Sequence, residues 1–162
     1  LQAGTLKMEP APINLTEAIR AILTRYNKLK EQDGYQIHFT PDAEYTVLAD
    51  EGRIGQVVYN LINNALTYTG PDKTVTVTQT LEGDQVRIAI HDSGKGIPAD
   101  ELPLIWNRYY RAKENHKRAI QGSGLGLSIV RSILEAHAAS YGVDSQENAG
   151  TTFWFKLPKV DQ

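Results

Sequence analysis

Two pairs of alternating segments, each joined by a turn of a few residues, constrain this chain more than any other feature. Thr74–Leu81 and Gln85–His91 flank Glu82-Gly83-Asp84, and Ser140–Ser145 and Thr151–Leu157 flank Glu147-Asn148-Ala149-Gly150. Val75, Val77, Val86, Ile88 and Ile90 repeat with period two, the mark of half-buried strands. Connections this short join antiparallel neighbours, because a parallel pair needs a crossover of a dozen or more residues. The sheet is therefore largely antiparallel.

The rest of the chain supplies cover for that sheet. Asn14 followed by Glu17 reads as a capping box. It opens a helix in which Ile19, Ile22, Leu23, Tyr26 and Leu29 recur at helical spacing, ended by Asp33-Gly34. Asp50 is placed to cap a second helix running to about Tyr68, which Gly70-Pro71 stops. A third begins near Gly124 and runs through Leu127, Val130, Ile133 and Leu134 to about Ala138. Tyr35–Thr40 and Tyr45–Ala49 read as short strands around a Pro41-Asp42 turn. Three amphipathic helices need one apolar surface. The expected class is α+β: a two-layer α/β sandwich with a mixed, mostly antiparallel sheet of about five strands, covered on one face by three helices. The 162 residues suit one domain, and 41% hydrophobic with 22% charged residues excludes collagen-like, disordered and coiled-coil chains.

Several function classes fall away. Without cysteine there is no disulfide framework, thiolate zinc site or cysteine nucleophile. A net charge of −2 argues against a globally basic nucleic-acid binder. No apolar run approaches the ~18 residues of a membrane span, and the first residues lack the pattern of a signal peptide. The chain starts without methionine and reads as a piece cut from a longer one.

Four constellations carry chemistry. On the second helix, Val57, Val58, Leu61, Ile62, Ala65 and Leu66 form the apolar face, while Gln56, Asn60, Asn64 and Thr67 form one polar stripe. A solvated face normally uses Glu, Lys and Arg, whereas asparagine disfavours helix, so Asn60, Asn63 and Asn64 crowded together ask for a reason. Asparagine carbonyls are hard oxygen ligands suited to Mg²⁺. After the next hairpin comes Asp92-Ser93-Gly94-Lys95-Gly96, either a plain turn or a strand-end carboxylate able to accept from an exocyclic amine. Gly122-Ser123-Gly124-Leu125-Gly126-Leu127 opens the third helix, where bare backbone N–H groups suit phosphate. It is not a dinucleotide fingerprint, because Leu127 stands where the last glycine belongs, and no Lys-Ser/Thr follows as in a P-loop. Arg108, Arg111, Lys113, Lys117 and Arg118 against Glu114 give residues 107–118 a net +4, leaving −6 elsewhere. A basic loop running into the glycines suits a lid over phosphates. The four histidines form no helical metal pair and read as structural or surface groups, with His137 favoured as a cation near a helix C-terminus.

Together these segments resemble the catalytic, ATP-binding domain of bacterial sensor histidine kinases, in the superfamily that includes gyrase B, MutL and the ninety-kilodalton heat-shock chaperone. QVVYNLINNALTYT is similar to the family's N box, DSGKGI to its first glycine box and IWNRYYR to its F box. GSGLGLSIV and GTTF resemble the later glycine boxes. The resemblance covers about residues 10–158. It implies that Asn64, helped by Asn60, would ligate Mg²⁺. Asp92 would take the adenine amino group, with Thr151 in support through water, and Tyr68 and Ile97 would contact the base. Gly94 and Gly96 would let the backbone pass close to it. Gly122, Gly124, Leu125 and Gly126 would hold phosphates, and Arg111, with Arg118 or Lys117, would reach the γ-phosphate.

The resemblance also implies Mg·ATP as the cofactor pair and transfer of the γ-phosphate to a histidine on a separate dimerisation domain, with a response regulator downstream. Hydrolytic relatives carry glutamate where Asn60 stands, and an amide is no base at neutral pH. Transfer to protein rather than water is thus the expectation, against a hydrolytic ATPase. A serine kinase of the anti-sigma-factor type and a non-catalytic nucleotide-binding module are the alternatives. Three departures stand out: Thr67 for a frequent lysine, Trp106 and Tyr109 for phenylalanines, and Ala138-Ala139 for Gly-Gly, harmless where the turn avoids positive φ. The expected layout is a linker or hairpin end at residues 1–12, the catalytic domain at 13–158 with its lid at about 107–123, and a tail at 159–162. The fragment is expected to be monomeric and cytoplasmic, without nucleic-acid or direct membrane contact, within a homodimeric, membrane-anchored parent.

Overall fold

The computed structural model describes residues 7–107 and 126–161. The elements in chain order are β1 (Ala11–Asn14), α1 (Leu15–Leu23), α2 (Asn27–Asp33), β2 (Gln36–Phe39), β3 (Thr46–Ala49), α3 (Glu51–Tyr68), β4 (Thr74–Glu82), β5 (Gln85–Asp92), α4 (Gly126–Ala136), β6 (Tyr141–Ser145) and β7 (Thr151–Pro158). Five strands form one sheet in the order β2-β4-β5-β7-β6, and β1 pairs with β3 in a separate ribbon. The sandwich expected from the sequence is present, with α1, α3 and α4 on one side of a mostly antiparallel sheet.

Both hairpins fold as their spacing dictates. The β4–β5 turn places Gly83 at φ 61 in a two-residue loop, the glycine-first arrangement of a type II′ turn that matches strand twist. Val75, Val77, Val86, Ile88, Ile90, Phe153, Phe155 and Leu157 are buried in one core with the predicted apolar face of α3, which is buried throughout and packs on β4 and β5. Burying a side chain of this kind contributes about 1.5–3 kcal/mol, so this double layer dominates stability.

Four local expectations are corrected. Tyr35–Thr40 and Tyr45–Ala49 do not pair with each other. β2 lies parallel to β4 from Gln36↔Thr74 to Phe39↔Val77, while β3 runs antiparallel to β1 from Ala49↔Ala11 to Thr46↔Asn14. Ala11 and Pro12, assigned to a linker, are strand residues; Pro12 is tolerated because β1 pairs with β3 alone among the described residues and is an edge strand. The first helix is broken by a 3-10 turn over Thr24–Tyr26, so α2 follows as a helix without buried residues. Its start is as read: Asn14 Oδ1 accepts from Glu17 N at 3.0 Å. Finally, the turn after α4 does use positive φ. Ala138 stands at φ 54, with Ala139 N donating to Leu134 O and Ala138 N to Glu135 O, a Schellman motif with alanine where glycine is favoured.

Candidate nucleotide site

Helix α3 carries one wall of the site. Asp50 caps it, Oδ1 accepting from Arg53 N at 3.1 Å while Oδ2 takes Glu9 N at 2.8 Å. These bonds hold the Asp50 carboxyl below the usual carboxylate range. His137 reaches the same cap: its Nε2 accepts from Asp50 N at 3.1 Å and its Nδ1 lies 2.8 Å from Ile133 O. That pattern needs the neutral ring with the proton on Nδ1, so His137 works as an acceptor rather than as the expected helix-end cation.

The asparagines of α3 separate by role. Asn63 Oδ1 accepts from the Tyr26 hydroxyl at 2.8 Å and belongs to the packing of α3 on the first helical segment. Burial there pushes the Tyr26 phenol up. Asn60 and Asn64 are half-buried, and their side chains have no hydrogen-bond partner among the described residues. With Tyr68, also half-buried, they stand at i, i+4 and i+8 on one side of the helix. Thr67 keeps its place in the stripe but is covered. It is 8% exposed, and its hydroxyl donates to Asn63 O at 2.8 Å.

The floor is the end of β5. Asp92 is 2% exposed, and its Oδ1 accepts from Gly94 N at 2.8 Å. Among the described residues that is the only hydrogen bond of its side chain. Burial raises its pKa from 3.8 to about 6, the Gly94 bond opposing and the nearby Asp72 charge adding to the rise. The following loop is bound on both sides by backbone. A Cβ on Gly94 would run into Tyr68 O, and one on Gly96, at φ 76, into Gln146 O. These glycines let the loop thread between the end of α3 and the β6–β7 turn, a requirement of the protein's own packing.

The far side is built by that turn. Gly150 N donates to Gly94 O at 3.1 Å, and Asn148 N donates to Lys95 O. Ile97, packed against the core, donates its N–H to Ser145 Oγ at 2.8 Å. Register places Asp92 opposite Thr151, and Thr151 opposite Ser145. Thr69, Asp72 and Ser93 brace the near side, Ser93 Oγ donating to Asp72 Oδ1 and Thr69 Oγ1 to Thr74 O at 2.7 Å. The motif-based reading missed Ser145, Thr69 and Asp72, because each is a single small polar residue with no spacing to mark it, and it named Ser93 within the glycine motif without giving it a role.

Asn60, Asn64, Tyr68, Asp92, Gly94, Gly96, Ile97 and Thr151 are thus described, and the last six form one continuous surface around the end of β5. Gly126 is the first residue of α4, which packs on α3. Arg111, Gly122, Gly124 and Leu125, like Lys117, Arg118 and Tyr109, lie outside the described residues. Trp106 precedes that stretch and packs edge-on against Tyr141 and Phe153 at 5.2 and 5.5 Å. Among the described residues no helix is long and apolar enough to cross a membrane.

The sequence matches the family described as histidine kinase-, DNA gyrase B- and HSP90-like ATPase over residues 49–161. The chain belongs to this ATPase family. It is 34% identical over 152 residues to the sensor histidine kinase WalK of Bacillus subtilis, covering 93% of this chain and 25% of WalK. It spans about a quarter to a third of the curated relatives it matches. The catalytic domain of histidine kinase ThkA superposes with a TM-score of 0.81 at 32% identity, covering 94% of this chain and 97% of that one. ThkA has also been solved in complex with the response regulator protein TrrA, with a TM-score of 0.76 at 28% identity, covering 94% of this chain and 42% of that one. Full-length ShkA in complex with AMPPNP matches with a TM-score of 0.80 at 26% identity, over 99% of this chain and 34% of that one.

Proposed function

We propose that this chain binds Mg·ATP and presents the γ-phosphate to a histidine on a separate dimerisation domain of its parent, a sensor kinase that passes phosphate to a response regulator. The observation that carries the reading is Asp92: a carboxylate buried beside the C-terminal turn of α3, one oxygen on Gly94 N and the other without a partner among the described residues. An ionised carboxylate offers acceptors only, which complements the amino edge of adenine. Tyr68 and Ile97 are assigned to the base on sequence grounds.

The donor set fits Mg²⁺. Asn60 and Asn64 offer two amide oxygens one turn apart, half-buried and otherwise unpaired, and Mg²⁺ takes few protein ligands beside waters and phosphates. When bound, the cation neutralises phosphate charge, which together with positioning accounts for most catalysis of phosphoryl transfer. Asn60 in place of a carboxylate leaves that position of α3 without a base for water, which favours a protein nucleophile. Arg111, with Lys117 or Arg118, and Gly122, Gly124, Leu125 and Gly126 are assigned to the phosphates on sequence grounds. No His followed by an acidic residue lies outside the sheet: His91-Asp92 is within β5. The acceptor histidine is therefore assigned to another part of the parent, which we place at the membrane with this domain on its cytoplasmic side.

The test is a Mg·ATP titration followed by NMR, then phosphotransfer to the parent's own helical hairpin. Shifts centred on Asn64, Asp92 and residues 122–126, with phosphohistidine formed on the hairpin, are expected. Shifts elsewhere would sink the site, and phosphoserine on a partner protein would select the serine-kinase alternative.

A further inference from the structure

Asp92, Thr151 and Ser145 occupy one register row across β5, β7 and β6. Ser145 is the node of the row. Its hydroxyl lies 2.8 Å from Ile97 N, 3.0 Å from Gly150 O and 2.8 Å from Thr151 Oγ1. A hydroxyl has one proton to give. Ile97 N only donates, and Gly150 O only accepts. All three contacts are hydrogen bonds in one arrangement alone: Ser145 gives its proton to Gly150 O, and Thr151 gives its own proton to Ser145. The Thr151 hydroxyl, 4% exposed and without another partner among the described residues, is then left with acceptor capacity only.

From this we infer that Ser145 is a positioning residue for base selection: by consuming the Thr151 proton it makes the row an acceptor-only surface, so that a purine carrying an amino group is taken and a 6-oxo purine is refused. The inference rests on the assignment of the base to Asp92. The carboxylate alone would favour the amine, but a Thr151 free to rotate could donate to a 6-oxo group and weaken the discrimination. Ser145 removes that option and also fixes Ile97 through its N–H. A site left with acceptors facing acceptors rejects the wrong ligand because buried polar groups stay unpaired.

The experiment compares binding of Mg·ATP and Mg·ITP, which differ at the six position, to the whole chain by titration calorimetry. Ser145→Ala is expected to lower the ATP-over-ITP preference about five- to tenfold, the worth of one buried hydrogen bond. Ser145→Thr, which keeps the hydroxyl, is expected to preserve it. In a Thr151→Val chain the preference is expected to be lower already, and adding Ser145→Ala should change it no further. Equal loss of both nucleotides in Ser145→Ala, or a preference within twofold of the parent's, overturns the inference. Should Ser145→Ala fail to fold, an unchanged preference in Thr151→Val overturns it equally. Undiminished ATP binding by Asp92→Asn would overturn the base site and this inference with it; a strong Asp92→Asn effect beside an unmoved Ser145→Ala preference overturns this inference alone.

Discussion

Replacing Asp92 by asparagine should make the free protein more stable and its nucleotide binding worse. The buried carboxyl titrates near 6 instead of 3.8, chiefly because burial penalises the charged form. The folded state therefore binds more protons than the unfolded one between those values, and stability falls as pH rises through that window. Above it, the cost of holding the charge amounts to about 3 kcal/mol. Asparagine removes that cost and keeps an oxygen for Gly94 N, whose preference for the charged form is already included in the net shift. The expected gain is about 3 kcal/mol at pH 7.5, or roughly 6–12 °C in Tm for a domain of this size. Below the ordinary carboxylate range, Asp92 is neutral in both states and the gain should vanish.

Binding should move the other way. The carboxylate has two acceptor oxygens, one on Gly94 N and one that the proposed site gives to the adenine amine; an amide has a single oxygen and must fail one of them. A loss of about 10- to 100-fold in ATP affinity follows. Urea unfolding at pH 7.5 and at pH 4, with ATP calorimetry at pH 7.5, reads both effects. A variant no more stable than the parent at pH 7.5, or a gain that persists undiminished at pH 4, would refute the electrostatic account. A stabilised variant that binds ATP as before would refute the adenine assignment.

Three further outcomes follow from the geometry. Gly94→Ala should cost about 2–3 kcal/mol in urea unfolding, because the added methyl meets Tyr68 O and neither backbone segment has room to yield; a cost under about 0.5 kcal/mol would show that the loop is looser. Ala138→Gly should raise stability by about 0.5–1 kcal/mol, since left-handed backbone costs alanine about 1–2 kcal/mol and glycine returns part of that as entropy; a destabilised variant in a thermal melt contradicts this. Asn64→Ala should leave the melt of the free protein unchanged or slightly higher and remove most of the Mg²⁺ dependence of ATP binding. Asn63→Ala, by contrast, should cost about 1 kcal/mol through the Tyr26 bond with Mg²⁺ dependence intact.

What could be read from the sequence was local or repeated in a motif. The hairpins were legible because both partners and the turn lie within about twenty residues, and period two fixes which face is buried. The pairing of β2 with β4 and of β3 with β1 was not. Each is a parallel or long-range contact of a four-residue strand, and alternation says that a strand exists without saying whom it meets. Gly94 and Gly96 were legible as glycines, but their reason lay in Tyr68 and Gln146, far apart in the chain. Thr67 was placed on the polar stripe by periodicity alone, and periodicity gives a direction, not what covers it. Ser145 left no signal, because its meaning comes from register across β6 and β7.

Helix α3 carries residues that serve the fold beside residues that the proposed function gives to the ligand. Asparagine weakens helix, yet three stand within five residues at its middle. Only Asn63 recovers that cost within the protein, through Tyr26. Asn60 and Asn64 recover nothing among the described residues, and both lie on the side of the helix that leads to Tyr68 and the Gly94 backbone. A helix selected for stability alone would place alanine, glutamate or lysine at those two positions. Their unpaired amides, half-buried on the same helix that ends beside Asp92, are what the proposed Mg·ATP site requires: on that reading a bound group arriving with the nucleotide would take them. For the same reason, the stability of the free domain and its affinity for Mg·ATP should move in opposite directions at both Asp92 and Asn64. A structural polar network moves them together.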